Sequence, residues 1–281
     1  MKKKILIILS IFLVVTFILC AIFAMLIYNG NILLNNPSEE DYPVRGVDVS
    51  SYQGKIDWQI LSKENIDFAF IKATEGSSHT DKYFQSNLKD ALETNLKIGA
   101  YHFFSFDSSG ATQADNFISN VPVVAGMLPP VVDVEFYADK NKNPPTKEAI
   151  DKELKILLNK LEDYYGIKPI IYTTEEVYEL YVANTYDDYD LWIRNVITKP
   201  NSEIRQWKFW QYTNREVLNG YIGDEKYIDM NVFNGNYEDF KNYPTIAKAF
   251  ILEPGFETQI FRSTALKASQ IRKDLLRFCL V

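Results

Sequence analysis

The chain has 281 residues, 47% of them hydrophobic and 24% charged, with a net charge of −7. That is enough apolar material for one large domain with a sizeable core. The acidic balance, and the lack of a Lys/Arg run in the body of the chain, argue against nucleic acid as a partner. The only two cysteines, Cys20 and Cys279, lie near opposite ends of the sequence, so no disulfide framework is expected. With only His79 and His102 as histidines, a metal site built from Cys or His is not expected either, and no cofactor is implied.

Met1-Lys2-Lys3-Lys4 leads into an uncharged apolar run from Ile5 to Tyr28. At ~1.5 Å per helical residue this run crosses a hydrocarbon layer of ~30 Å with some tilt. A secretory signal core is shorter and ends in a small-x-small site, and no good site follows Met25. The reading is one transmembrane helix, with the lysines keeping the N-terminus in the cytoplasm and the rest of the chain outside. A cleaved signal with a secreted product is the alternative. Cys20 does not suggest a lipoprotein, because Leu19 before it is too large for the usual processing signal.

Residues 29–44 are polar and turn-rich and read as a short linker. Eight strand candidates follow, over 45–50, 67–74, 97–104, 129–136, 168–174, 190–195, 208–213 and 227–233. Helical stripes separate the earlier ones. Phe84, Leu88, Leu92 and Leu96 recur over 81–97, and Ala114, Phe117, Ile118 and Val121 over 111–121. Ile150, Leu154, Leu157, Leu158 and Leu161 mark a helix over 146–165, with Thr146 as N-cap and Gly166 as stop. A short helix covers 175–184. Strands alternating with helices imply a parallel sheet, and eight strands in this length imply a closed barrel. The last connections lack helical periodicity, so the expected fold is an irregular α/β barrel of TIM-like type, with fewer helices than strands. No glycine-rich loop follows the first strand, which disfavours an open nucleotide-binding sheet. Residues 244–281 are compatible with either an amphipathic helix or disorder.

The strand "LPPVVDVEF" (128–136) holds two acids, Asp133 and Glu135, two residues apart. Side chains at that spacing share a face, with Cα atoms roughly 6.5 Å apart at ~3.3 Å per residue. In a parallel barrel the reactive groups gather at the C-terminal ends of the strands. Asp48 near the end of the first strand and Asp229 in the last would join the pair at one mouth. Lys72 and Arg194 are the only obvious cations in these strands. Crowded carboxylates raise one another's pKa, so one stays protonated and donates a proton, as glycoside hydrolysis requires. Tyr52, Tyr101, His102, Phe104, Tyr172, Trp192, Trp210 and Tyr212 all lie at predicted strand ends and suggest an aromatic ring about that mouth. The rival uses of the same acids are a hard-cation site and a sugar-binding groove without turnover.

In order, "GVDVSSYQGKIDW", "FAFIKATEG", "IGAYHFF", "PPVVDVEF", "PIIYTT", "LWIRN", "WQYT" and "IDMNVFNG" resemble glycoside hydrolase family 25, the lysozymes of the N-acetylmuramidase type. The resemblance runs from Arg45 to Tyr243. It implies an irregular eight-stranded barrel and cleavage of the β-1,4 bond between N-acetylmuramic acid and N-acetylglucosamine, so peptidoglycan glycan strands are the expected partner. It implies that Glu135 is the general acid/base. Asp133 would orient the 2-acetamido group or stabilise charge at the anomeric carbon, and Asp48 and Asp229 would shape the site as flanking acids. Tyr101, Tyr172 and Trp210 match positions near the sugar. His102 belongs to the same strand motif and is as readily structural. Arg194 stands where the family often has a small residue. The expected proton order has Glu135 kept protonated beside an ionised Asp133.

Overall fold

The computed structural model describes residues 2–204 and 207–247. Residues 248–281, which hold Cys279 and nearly all of the 244–281 tail, lie outside the described residues.

The apolar run forms α1 (Lys2–Tyr28), a 27-residue helix long and apolar enough to cross a membrane. The barrel is built from β1 (Arg45–Val49), β2 (Phe68–Glu75), β4 (Lys97–Phe103), β5 (Val131–Val134), β6 (Ile170–Thr174), β7 (Leu191–Arg194), β8 (Phe209–Glu216) and β9 (Ile228–Phe233). The two-residue β3 (His79–Thr80) is an antiparallel appendage on β2. Pairing runs β1-β9-β8-β7-β6-β5-β4-β2, and a parallel β1–β2 pairing closes the ring. The strands read as nearly continuous apolar runs because both faces are covered, one by the barrel interior and one by helices and loops.

The helices sit mainly in the first half: α3 (Phe84–Ala91), α4 (Gly110–Asn120) and α5 (Lys147–Tyr165) follow the apolar stripes, and a short α2 (Trp58–Leu61), which no stripe announces, precedes them. α5 begins where Thr146 Oγ1 accepts from the Ala149 amide and ends at Gly166, whose φ of +70° suits the left-handed C-terminal position. The predicted 81–97 helix is shorter at both ends. Asp81 spends its carboxylate on the Ser51 and Tyr83 amides, and Thr94 caps the Ala91 carbonyl, so neither end continues the helix. After β6, α6 (Glu175–Val177) runs into a π-helical turn, Tyr178–Val182. α7 (Tyr237–Lys241) follows β9.

The expectation of a wholly parallel sheet is corrected at one strand. β9 pairs antiparallel with both β8 and β1. A parallel return needs a crossover, usually a helix, and residues 217–227 supply none. The chain therefore turns back at the mouth and β9 runs downward.

Inside the barrel, Phe68, Phe70, Val131, Ile170, Trp192, Phe209 and Phe233 form a filled core, and Phe240 of α7 and Tyr243 seal its floor. Phe70 stacks on Trp192 with ring centroids 4.5 Å apart. Two neighbouring strands yield room for these rings: a Cβ on Gly46 would lie 2.4 Å from the Phe68 ring, and one on Gly99 2.5 Å from Phe70.

The 29–44 segment is more than a linker. It is a strap laid along the outside of the barrel. Asn35 donates to the Asn195 and Thr198 carbonyls, the Arg45 guanidinium donates to the Pro37 carbonyl, and Tyr42 stacks on Trp207 at 5.9 Å. At the other end the domain reaches past Tyr243: Ile246 is buried and pairs its backbone with Gly126 and Met127.

Candidate active site

Strand direction places the acids. Asp48, Asp133 and Glu135 lie at the C-terminal ends of β1 and β5, while Asp229 lies near the start of the reversed β9. All four reach the same mouth. Asp48 and Asp229 are direct cross-strand partners, and Phe103, Asp133 and Tyr172 share one row across β4, β5 and β6. A cavity of about 290 Å³ opens there, lined in part by Asp48, Tyr52, Tyr101, Arg215, Tyr227 and Asp229.

Asp48 is held from below. Its Oδ2 accepts from Gln211 Nε2 at 2.9 Å and Asn231 Nδ2 at 2.8 Å. Each amide is itself fixed: Trp192 Nε1 donates to Asn231 Oδ1 at 2.7 Å, and the Tyr172 hydroxyl donates to Gln211 Oε1 at 3.1 Å. Burial raises the pKa of both Asp48 and Asp229. The two amide donors draw Asp48 back down, whereas the Asp48 charge pushes Asp229 further up, well above the usual carboxylate range. Of the pair, Asp229 is therefore pushed further up than Asp48.

Asp133 and Glu135 divide differently from the expectation. Asp133 is fully enclosed, and burial, reinforced by the Glu135 charge, lifts it well above its ordinary value. Glu135 is half-buried at the open edge. Burial raises it too, but the Arg194 and Lys72 charges oppose the rise. Of the two, Asp133 is thus pushed further from the ordinary carboxylate range. The greater depth of Asp133 favours it, rather than Glu135, as the more readily protonated of the two. Asp133 Oδ1 is buried with no hydrogen-bond partner among the described residues. Buried polar atoms are rarely left so.

The aromatic ring is corrected in part. Tyr52 and Tyr101 line the cavity, and Tyr172 points into the barrel beneath the acids. Trp192 also points inward but is buried in the floor of the site, engaged with Asn231 and Phe70. Trp210 and Tyr212 face the opposite way. Trp210 packs on Tyr42 and Trp207 and donates to the Asn195 carbonyl, and Tyr212 accepts from Arg45. Their strand presents Phe209 and Gln211 to the interior, so the alternate residues must face out. Phe104 and His102 likewise belong to the outer layer. His102 is fully buried, with Nδ1 2.7 Å from Thr74 Oγ1 and Nε2 3.1 Å from Gln113 Oε1. It cannot touch a ligand in the mouth.

His102 is structural, with a pKa lowered to about 4 by burial. Its folded pKa lies below its unfolded one, so its contribution is complete above ~6.5 and declines as pH falls and the unfolded chain takes up a proton. His102→Ala is expected to cost about 2–4 kcal/mol of stability by denaturant titration. The kcat per folded molecule is expected to stay unchanged; a selective loss of kcat would return His102 to the site.

Sequence reasoning missed Gln211 and Asn231. The available signal was parity: Gln211 shares a face with Phe209, and Asn231 with Asp229, so both are polar groups pointing into a barrel core. Among the described residues no group of three or more His, Cys, Asp or Glu side chains is placed to hold a metal ion.

A closed barrel with two unequal carboxylate pairs at its C-terminal mouth, beside an open cavity, has the construction of a glycoside-cleaving enzyme. The profile of glycosyl hydrolases family 25 matches residues 47–221, and the chain belongs to that family. It is a glycoside hydrolase of the lysozyme, or muramidase, class. It is similar to a family 25 glycosyl hydrolase from Bacillus anthracis, with 56% identity and a TM-score of 0.71 over 75% of this chain and 97% of that one. The lysozyme M1 of Streptomyces globisporus is 30% identical over 69% of this chain and 68% of its own. The uncharacterized protein YegX of Escherichia coli K12 is 34% identical over 72% and 74%.

Proposed function

We propose that this enzyme hydrolyses the β-1,4 bond between N-acetylmuramic acid and N-acetylglucosamine in peptidoglycan, from a position anchored in the cell membrane by α1. The names of the relatives, a lysozyme and an N,O-diacetylmuramidase among them, support the substrate class. The observation that carries the mechanism is the unpartnered, buried Oδ1 of Asp133 next to the more open Glu135.

That oxygen is matched by the acetamido N–H of a bound sugar. Accepting it stabilises the Asp133 carboxylate, and the resting proton passes to Glu135. Glu135 then donates this proton to the glycosidic oxygen as the C1–O bond breaks. The acetamido oxygen, aligned by Asp133, attacks C1 and forms a ring intermediate, a substrate-assisted route. Glu135, now a carboxylate, takes a proton from water. The hydroxide adds to C1, the ring opens and the acetamido group is restored. Asp48, ionised and locked by Gln211 and Asn231, supplies a fixed negative charge facing the positive charge that builds at C1. Tyr52 and Tyr101 supply ring faces at the cavity for the sugar.

Product analysis tests the assignment. Digested peptidoglycan is expected to release fragments with reducing muramic acid ends. Reducing glucosamine ends, or binding without new ends, would overturn it. For the anchor, the full-length chain is expected to stay with membranes through an alkaline wash; a shortened soluble chain would instead mark a cleaved signal.

A further inference from the structure

The end of α1 does not hang free of the catalytic domain. The Tyr28 carbonyl accepts from the Tyr227 hydroxyl at 3.1 Å and from Arg215 Nη1 at 3.5 Å. The Arg215 guanidinium lies between two rings, 5.3 Å from the centroid of Tyr28 and 5.0 Å from that of Tyr227. The helix closes at Gly30, whose φ is +71° and whose missing Cβ would fall 2.4 Å from the Arg215 carbonyl oxygen. Only glycine allows the chain to turn that close to β8. Arg215 and Tyr227 also line the cavity that holds Asp48 and Asp229. One layer of side chains therefore separates the last turn of the apolar helix from the candidate site.

The loop beside this clamp, residues 217–227, projects Ile222 with 96% of its surface exposed. The loop is pinned on both sides. Gly220 accepts from the Asp57 amide at 2.7 Å, and the Glu225 amide donates to the Tyr52 carbonyl at 3.0 Å. Tyr52, at the same rim, is 67% exposed. A single exposed Ile needs no explanation. An exposed Ile in a loop hydrogen-bonded on both sides of it, with Tyr52 at the same rim, near the point where a membrane-length helix ends, matches the composition of a bilayer interface.

We propose that the rim formed by residues 217–227 rests on the lipid headgroups, so that the mouth opens beside the bilayer and takes glycan held at the membrane surface. This rests on α1 being retained as an anchor. The substrate would be strands newly made by glycosyl transfer at the outer face of the membrane and still lipid-attached at one end, in preference to distant wall.

The test uses the full chain, with Cys20 and Cys279 changed to Ser, reconstituted in phospholipid vesicles. An environment-sensitive fluorophore is attached through Ile222→Cys, or through Glu93→Cys in the exposed connection between α3 and β4. The Ile222 probe is expected to be blue-shifted, and quenched by nitroxide-labelled lipid, with the Glu93 probe unaffected. Equal quenching, or none at Ile222 in protein that floats with the vesicles, overturns the rim contact and leaves the anchor reading intact. Protein that does not float with the vesicles overturns both. A second arm digests lipid-attached glycan with the wild type and with a form in which residues 28–31, which make the clamp, are replaced by a long flexible Gly/Ser insertion. The wild type is expected to leave short lipid-attached remnants and the inserted form longer, broader ones. Identical remnants overturn the surface-bound substrate.

Discussion

Glu135→Gln is expected to lower kcat by about 10²–10⁴-fold with little change in KM or in the unfolding midpoint. The amide keeps the shape of the half-buried carboxyl but can neither deliver the proton to the leaving oxygen nor take one from water. Because burial raises both Asp133 and Glu135, the wild type should stay active above the ordinary carboxylate range. Activity should then fall on the alkaline side as the shared proton leaves the pair. Asp133→Asn removes the residue that stores this proton at rest. Its alkaline limb is therefore expected at lower pH than that of the wild type, in addition to a fall in kcat. Paired pH–kcat profiles read this directly. A Glu135→Gln variant that releases reducing ends at close to the wild-type rate would refute the assignment, and an unmoved alkaline limb in Asp133→Asn would refute the reservoir.

Asp229→Asn is expected to do two opposite things: stabilise the fold at neutral pH by about 1–2 kcal/mol and reduce activity. Folded Asp229 holds its proton at pH values where the unfolded chain, with a carboxyl of about 3.8, has released it. The folded state then binds more protons, so stability falls as pH rises from about 4 toward the folded pKa. Asparagine has no proton to hold and can still donate to Asp48. The variant's advantage in denaturant midpoint should be absent near pH 3 and should widen as pH rises above about 4. Parallel curves across that range would show that the pair does not rest as described. The loss of activity follows from loosening the carboxylate in direct register with Asp48.

Period-two alternation makes much of this site legible in the sequence. Asp133 and Glu135 declare themselves as two charges on one face of a dry strand, and Asp48 follows from its strand-end position in a closed ring, whereas Asp229 reaches the mouth only because β9 is reversed. The helix over 146–165 is legible because Thr146 and Gly166 are local signals that act without tertiary help. The strap is not, because Asn35 and Tyr42 find their partners in the loop after β7, on β8 and just before β8, contacts that no local pattern encodes. Direction is hidden too: an alternating strand reads the same up or down, so β9 betrays its reversal only through the missing crossover. The aromatic ring is overdrawn because Tyr101 and His102 are neighbours on one strand and cannot share a face. The same parity removes Trp210 and Tyr212 once Gln211 is seen to bond Asp48. The proton order cannot be read from sequence at all, since it depends on how much deeper Asp133 sits than Glu135.

The reversed closing strand has a kinetic corollary. Asp48 lies on the first strand of the barrel and Asp229 on the last, so the chain must join partners from opposite ends of the domain before the mouth exists. Contacts of such long sequence separation form late and slowly. While the polypeptide emerges N-terminus first, β1 waits with an unpaired edge until β9 has followed it out. The Asp48–Asp229 pair is consequently completed only once the closing strand has docked. A truncated or stalled chain lacking β9 would carry Asp133 and Glu135 but no Asp48–Asp229 pair, so under the proposed mechanism it would have no wall-cutting activity.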